Sequence, residues 1–263
     1  MSLPRTEVRT VRGANGVSYR LDVSLPREPP PSGRSRPLVV VLDADYAFPI
    51  VRAIVEHLAE RGWIDEVFVI GIGYAGPATR DGYRSNRTRD YTPVPYPTGG
   101  YGPEFQALSG GGPAFARFLS EEVLALARKE YGVTGPRVLV GHSYGGLLAC
   151  WMMVEAPGVF DAYVAVSPSL WYADRFLLGR ARAALEGKKD LPISAYLAVG
   201  SREGSAERDM QQDLRAFHAL LSSRSFPGLR SRLDVLPDET HDSVFPGAVS
   251  NGLRFVLPGP RPP

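Results

Sequence analysis

The chain has 263 residues, 44% of them hydrophobic and 22% charged, with 30 basic side chains against 28 acidic ones. That length suits one large domain with a substantial core, and a net charge of +2 makes no case for a nucleic-acid or membrane-surface partner. The single cysteine, Cys150, excludes an intramolecular disulfide, and no apolar run approaches the length of a membrane span. Residues 1–10 lack the apolar stretch of a secretory signal. The expected location is therefore the cytoplasm, or the periplasm for a chain from which a signal has been removed.

Residues 6–13 and 18–26 alternate polar and apolar around Asn15-Gly16, the pattern of a β-hairpin. A Pro/Ser/Arg loop at 29–37 leads into the apolar run 38–42, which reads as a central strand ending in Asp43-Ala44-Asp45-Tyr46. Residues 50–63 form an amphipathic helix with Ile50, Ile54, Leu58 and Trp63 near one face, and 67–72 a further buried strand. From 74 to 113 the pattern breaks. Gly, Pro, Tyr and Arg are dense there and no period is sustained, which predicts a long loop, functional or disordered. A helix returns at 115–131.

Beyond residue 162 the pattern gives a strand at 163–166, a loop Ser167-Pro168-Ser169-Leu170-Trp171-Tyr172, a short helix near 177–185 and a strand at 193–199. A helix at 206–221, a last strand at 233–236 and a last helix at 244–256 complete the series. Alternating strands and helices imply an α/β fold: a mainly parallel sheet with helices on both faces and an antiparallel N-terminal edge. No linker or internal repeat divides the chain, so one domain is expected over 1–263, with 1–5 and 258–263 disordered.

The stretch 137–153 carries the chemistry. Val138-Leu139-Val140 is a buried strand, Gly141-His142-Ser143-Tyr144-Gly145 is Gly-x-Ser-x-Gly, and Leu147 to Met153 continues as an apolar helix. Ser143 at such a strand-to-helix turn is a candidate nucleophile, its side chain lifted out of the sheet and its glycine neighbours admitting the strained backbone. Such a serine needs a base and a group to orient the base. In this architecture they follow in the order Ser, acid, His, on loops after strands.

Of the four histidines, His57 and His218 fall inside amphipathic helices and His142 adjoins Ser143, pointing elsewhere; His241, after the last strand, is the candidate base. Chain order favours Glu203 as the acid, with Asp209 and Asp238 as rivals. The oxyanion hole is expected from the backbone N–H of Tyr144 and one N–H after the 38–42 strand, with Asp45 ahead of Ala44. Arginines and tyrosines of the 74–113 stretch suit an anionic or aromatic substrate, though a solvated loop of Arg–Asp pairs explains them nearly as well. Arg84, Arg87, Arg89, Tyr91 and, beyond it, Trp171 are the candidate substrate-binding residues. No metal-ligand cluster or phosphate-binding glycine loop is evident, and no cofactor is expected.

Taken together, Val41-Leu42-Asp43, Arg87-Thr88-Arg89-Asp90-Tyr91-Thr92-Pro93, Gly141-His142-Ser143-Tyr144-Gly145-Gly146, Ser167-Pro168-Ser169-Leu170-Trp171 and His241-Asp242-Ser243-Val244 resemble the putative-esterase (esterase D-like) branch of the α/β-hydrolases. The Arg-Asp-Tyr-Thr-Pro element is most similar to the subgroup that includes trilactone siderophore esterases. The resemblance implies an α/β-hydrolase fold and a serine esterase working through an acyl-enzyme on a small-molecule ester, with enterobactin-like ferric siderophores as a candidate substrate. The alternatives are a short-chain carboxylesterase, an S-formylglutathione hydrolase-like thioesterase, an acyltransferase, or a hydrolase-fold binding protein without turnover. The oligomeric state has no signal in the sequence.

Overall fold

The computed structural model describes residues 3–28, 35–205, 208–257 and 259. The expectations for residues 1–2, for 258 and 260–263, for most of the Pro-rich loop (29–34), and for the first two residues of the helix at 206–221 lie outside that range.

Eight strands form one sheet in the order β1-β2-β4-β3-β5-β6-β7-β8. β1 (Thr6–Arg12) and β2 (Ser18–Ser24) are the expected hairpin, and β2 pairs antiparallel with β4 (Phe68–Tyr74). From β4 onward every pairing is parallel, through β3 (Leu38–Leu42), β5 (Arg137–His142), β6 (Ala162–Val166), β7 (Ser194–Gly200) and β8 (Arg230–Leu236). A parallel strand has to be covered on both faces, because its crossover helices lie there. β3 is accordingly Leu-Val-Val-Val-Leu, buried throughout. Val39 and Val41 face one apolar core with α1 (Ala44–Glu60) and α9 (Phe245–Val256), while Leu38, Val40 and Leu42 face the other. This is the α/β-hydrolase arrangement expected from the sequence.

The opposite layer comprises α2 (Arg80–Tyr91), α3 (Pro103–Gln106), α4 (Gly112–Phe118), which runs through a π-turn at Leu119–Val123 into α5 (Leu124–Tyr131), then α6 (Tyr144–Glu155), α7 (Tyr172–Leu185) and α8 (Met210–Ser222). Here the expectation of a long loop at 74–113 is corrected. α2 is a full helix, its start capped by the Thr79 side chain accepting from Gly82 N–H. Its buried face is Arg87, Thr88, Asp90 and Tyr91. A polar buried face has no hydropathy period, so a pattern search passes over it. α1 also begins six residues before the expected start at 50. Pro49 within it normally marks a helix boundary. In α7, Ala173, Asp174 and Arg175 take left-handed backbone angles, so the regular helix starts after them, near the expected 177.

Candidate active site

Three loops at the carboxyl ends of neighbouring parallel strands meet above the sheet, where open α/β folds place their ligands. They carry Ser143 after β5, Glu203 after β7 and His241 after β8.

Ser143 has φ 59° and ψ −117°, a strained conformation for a residue with a side chain. The chain can turn this sharply because Gly141 lacks a Cβ, which would lie 2.3 Å from the carbonyl oxygen of Gly145. Ser143 N–H bonds the Val166 carbonyl at 3.0 Å, tying the turn to β6. Its Oγ shares a hydrogen bond of 3.3 Å with Ser169 Oγ. Tyr144 opens α6, so its N–H belongs to the first helical turn, whose donors have no partner within the helix.

His241 Nδ1 meets Glu203 Oε2 at 2.7 Å. Glu203 is 8% exposed, and its other oxygen accepts from the Ser167 hydroxyl at 2.6 Å and from Gly200 N–H at 2.7 Å. The carboxylate is thus held on both oxygens, with one aimed at the imidazole. The rival acids are occupied elsewhere: Asp209 caps α8 by accepting from Gln212 N–H, and the exposed Asp238 pairs with Arg202. His241 and Ser143 line one cavity without a hydrogen bond between them. Such catalytic contacts are often long before a substrate closes them.

His57 lies exposed in the last turn of α1 and His218 contacts Ser231 Oγ, so both stand apart from the cavity. His142 is at the cavity but turned away from Ser143 Oγ. Its Nε2 meets the backbone carbonyl of His241 at 2.9 Å and its Nδ1 meets the Tyr46 hydroxyl at 3.1 Å. Burial, with the nearby His241 and Arg87, pushes its pKa down to about 3.

The cavity is about 430 Å³, in the range of a small-molecule site. A larger groove of about 840 Å³ opens at the other end of the sheet, beside Leu38, Pro136 and Arg137, away from all three residues. The catalytic candidates rather than size therefore select the site. Tyr83, Arg87 and Tyr101 form one wall of the cavity and Trp171 and Arg208 another.

Of the candidate substrate-binding residues, Arg87 and Trp171 reach the cavity, and Arg84, Arg89 and Tyr91 do not. Arg87 is 2% exposed and forks onto Asp43, Nε to Oδ1 at 2.8 Å and Nη2 to Oδ2 at 3.2 Å. It also donates to the Tyr101 hydroxyl and, at 3.1 Å, to the His142 carbonyl. Burial by itself would lower its pKa, and the Asp43 carboxylate more than reverses this, so the guanidinium stays charged. Arg84 packs over Tyr101 and Phe105, Arg89 forks onto Asp90, and Tyr91 is fully buried, accepting from Asp43 N–H.

The Asp45 carboxylate pairs with Arg20 at 2.6 Å in a separate cleft beside Phe48 and Pro49, so it is the side chain that lies outside the cavity, while its backbone N–H belongs to the first turn of α1, as does that of Ala44. Arg208 escaped the sequence reading. It stacks over Trp171 with 4.3 Å from guanidinium carbon to ring centre, and no carboxylate pairs with it among the described residues. Its only signal was a place in the loop after β7, next to Glu203.

Among the described residues, no cluster of three or more His, Cys, Asp or Glu could hold a metal, and no helix is long and apolar enough to cross a membrane. Cys150 is fully buried in α6, and burial pushes its thiol pKa up, out of reactive range.

The family model described as putative esterase matches residues 14–230. Ferri-bacillibactin esterase BesA of Bacillus subtilis is 30% identical over 270 residues, covering 97% of this chain and 91% of that protein. Siderophore enterobactin esterase of Emericella nidulans is 30% identical, covering 94% of this chain and 91% of that one. The crystal structure of BES protein from Bacillus cereus superposes with a TM-score of 0.84 at 25% identity, covering 98% of both chains.

Proposed function

The chain belongs to the putative-esterase family, and from that premise we propose that it hydrolyses the ester bonds of siderophores, with Ser143 as nucleophile, His241 as base and Glu203 as the acid that orients the base. The protein is an ester hydrolase of the serine type. The observation that carries the residue roles is the 2.7 Å contact between His241 Nδ1 and a doubly anchored Glu203, in the cavity wall that also holds Ser143.

In this mechanism Ser143 Oγ attacks the ester carbonyl while His241 Nε2 takes the hydroxyl proton. Glu203 keeps the other ring proton on Nδ1 and stabilises the imidazolium. The oxyanion forms beside Tyr144 N–H, with a second donor from the backbone N–H of Asp45 or Ala44 in the first turn of α1. His241 returns its proton to the leaving alcohol. Water, deprotonated by His241, then attacks the acyl carbon, and Ser143 leaves with the proton restored.

The substrate reading is a catecholate trilactone, supported by the names of the relatives and by the cavity walls. Tyr83, Tyr101 and Trp171 offer ring faces, and Arg208 offers a cation with no carboxylate partner among the described residues. The ferric ion enters as part of the substrate, not as a resident metal. The test incubates the purified protein with a ferric tricatecholate trilactone and follows ring opening by chromatography and mass spectrometry. Wild type should release the linear trimer and smaller esters, and Ser143→Ala and His241→Ala should not, with losses on the order of 10⁴–10⁶ in kcat. Turnover of p-nitrophenyl butyrate with none of the trilactone would leave a short-chain ester hydrolase and defeat the substrate reading.

A further inference from the structure

We propose that His142 is a positioning residue for the base: held in one tautomer by Tyr46, it donates Nε2–H to the backbone carbonyl of His241 and so fixes the loop that carries the imidazole. This rests on the reading of His241 as base.

The tautomer follows from the partners. A carbonyl only accepts, so the 2.9 Å contact with the His241 oxygen puts the proton of His142 on Nε2. The ring is neutral, so Nδ1 must accept, and the Tyr46 hydroxyl at 3.1 Å is its donor. His142 therefore has a fixed role as donor, read from geometry.

The remaining contacts hold that donor still. Arg87, locked on Asp43, donates to the His142 carbonyl from α2. Phe245 of α9 packs against the ring with 5.6 Å between centroids, and the His241 ring packs against it at 4.6 Å. Arg87 is the charged group facing His142, and Tyr46 and His241 the titratable ones.

Other ties of the β8–α9 loop join residues beside His241 or close the turn around it. Glu239 O accepts from Arg202 N–H and Asp238 N–H bonds Ser201 Oγ, while Val244 N–H to Thr240 O and Thr240 N–H to Ser243 Oγ close a local turn that does not itself reach the elbow. The main chain of His241 has the His142 bond as its tie among the described residues, and its side chain has Glu203. The Glu203 contact sets the rotation of the ring, while His142 sets the distance of the backbone from the elbow. His142 is itself the residue before Ser143, so base and nucleophile are referenced to one rigid turn. A shift of about 1 Å between reacting groups can cost on the order of 10²-fold.

Kinetics with p-nitrophenyl butyrate test this. His142→Ala should lower kcat on the order of 10–100-fold with KM within about 3-fold, because both ring nitrogens are engaged by Tyr46 and the His241 carbonyl and offer the cavity no polar contact. His142→Gln restores an amide donor at the reach of Nε2 and should recover kcat to within about 5-fold of wild type. Tyr46→Phe frees the tautomer and should lower kcat several-fold without changing KM, which keeps the test alive should His142→Ala not fold. Equal losses in the Ala and Gln variants, a loss expressed in KM, or an unchanged kcat in Tyr46→Phe would overturn the proposal. His241→Ala, run alongside, separates the readings. If that variant is active, the base assignment falls and this inference with it; if it is inactive beside an unimpaired His142→Ala, only this inference falls.

Discussion

Glu203→Gln is the substitution in which the structure works hardest on the chemistry. The change is nearly isosteric, so its effect comes from hydrogen-bond direction and from the lost charge that stabilises the imidazolium. Oε1 accepts from Gly200 N–H at 2.7 Å and from the Ser167 hydroxyl at 2.6 Å, while Oε2 faces His241 Nδ1 at 2.7 Å. A glutamine has one oxygen and one NH₂. The Gly200 N–H is a backbone donor and cannot turn round, so the amide oxygen must stay on it, or two donors would face each other in a buried site. The NH₂ is thereby forced toward His241. Nδ1 then has to accept, and the ring proton moves to Nε2, the nitrogen that must take the proton of Ser143.

The inverted tautomer should lower kcat about 10³–10⁴-fold, or about 4–5.5 kcal/mol of transition-state stabilisation. KM and the thermal midpoint should stay close to wild type, since volume and two of three hydrogen bonds are kept. Steady-state hydrolysis of p-nitrophenyl butyrate, with thermal unfolding as the control, reads both. Asp209→Asn and Asp238→Asn should remain within a few-fold of wild type, because their carboxylates cap α8 and pair with Arg202. A Glu203→Gln enzyme within tenfold of wild type would refute the tautomer argument, and a crippled Asp238→Asn would move the acid to the loop after β8.

Arg87→Met leaves Asp43 as a buried carboxylate without its partner, and should cost about 3–5 kcal/mol in urea unfolding; a loss below about 1 kcal/mol would mean the pair is not what anchors α2. His142 couples stability to pH. Unfolded, the ring takes up a proton below about 6.5, whereas the folded ring does so only near 3. Its contribution is therefore complete above pH 6.5 and is lost as the pH falls toward 3. Between pH 7 and 4.5, wild type should lose about 2–3 kcal/mol more than His142→Gln, and parallel curves for the two proteins would contradict this. Arg208→Ala should raise KM for a ferric tricatecholate ester on the order of 3–30-fold while sparing a neutral short-chain ester, with added salt acting in the same direction. Arg84→Ala, whose side chain packs on Tyr101 and Phe105 outside the cavity, should do neither, and the reverse ranking would restore Arg84 as the contact.

Local pattern was enough for the frame of this protein. The apolar runs at 38–42 and 138–140 are strands because continuous burial on both faces demands it, and Gly141-His142-Ser143-Tyr144-Gly145 is a tight strand-to-helix turn because only glycine tolerates the approach of the Gly145 carbonyl. That Glu203 and His241 rise at the same end of the sheet as Ser143 was legible from chain order, since each follows a strand of a parallel sheet. What the pattern left open depended on partners far apart in the chain. α2 was unreadable because most of its buried face is polar and finds its partners elsewhere in the fold, Arg87 on Asp43, 44 residues away. Arg208 became a cavity wall only when the loop after β7 brought it over Trp171. The bond from His142 to the His241 carbonyl spans 99 residues. Hydropathy and spacing report what a residue shares with its neighbours in sequence. A hydrogen bond to a distant carbonyl, a buried ion pair and the facing of one ring to another exist only once the tertiary fold has brought both partners together.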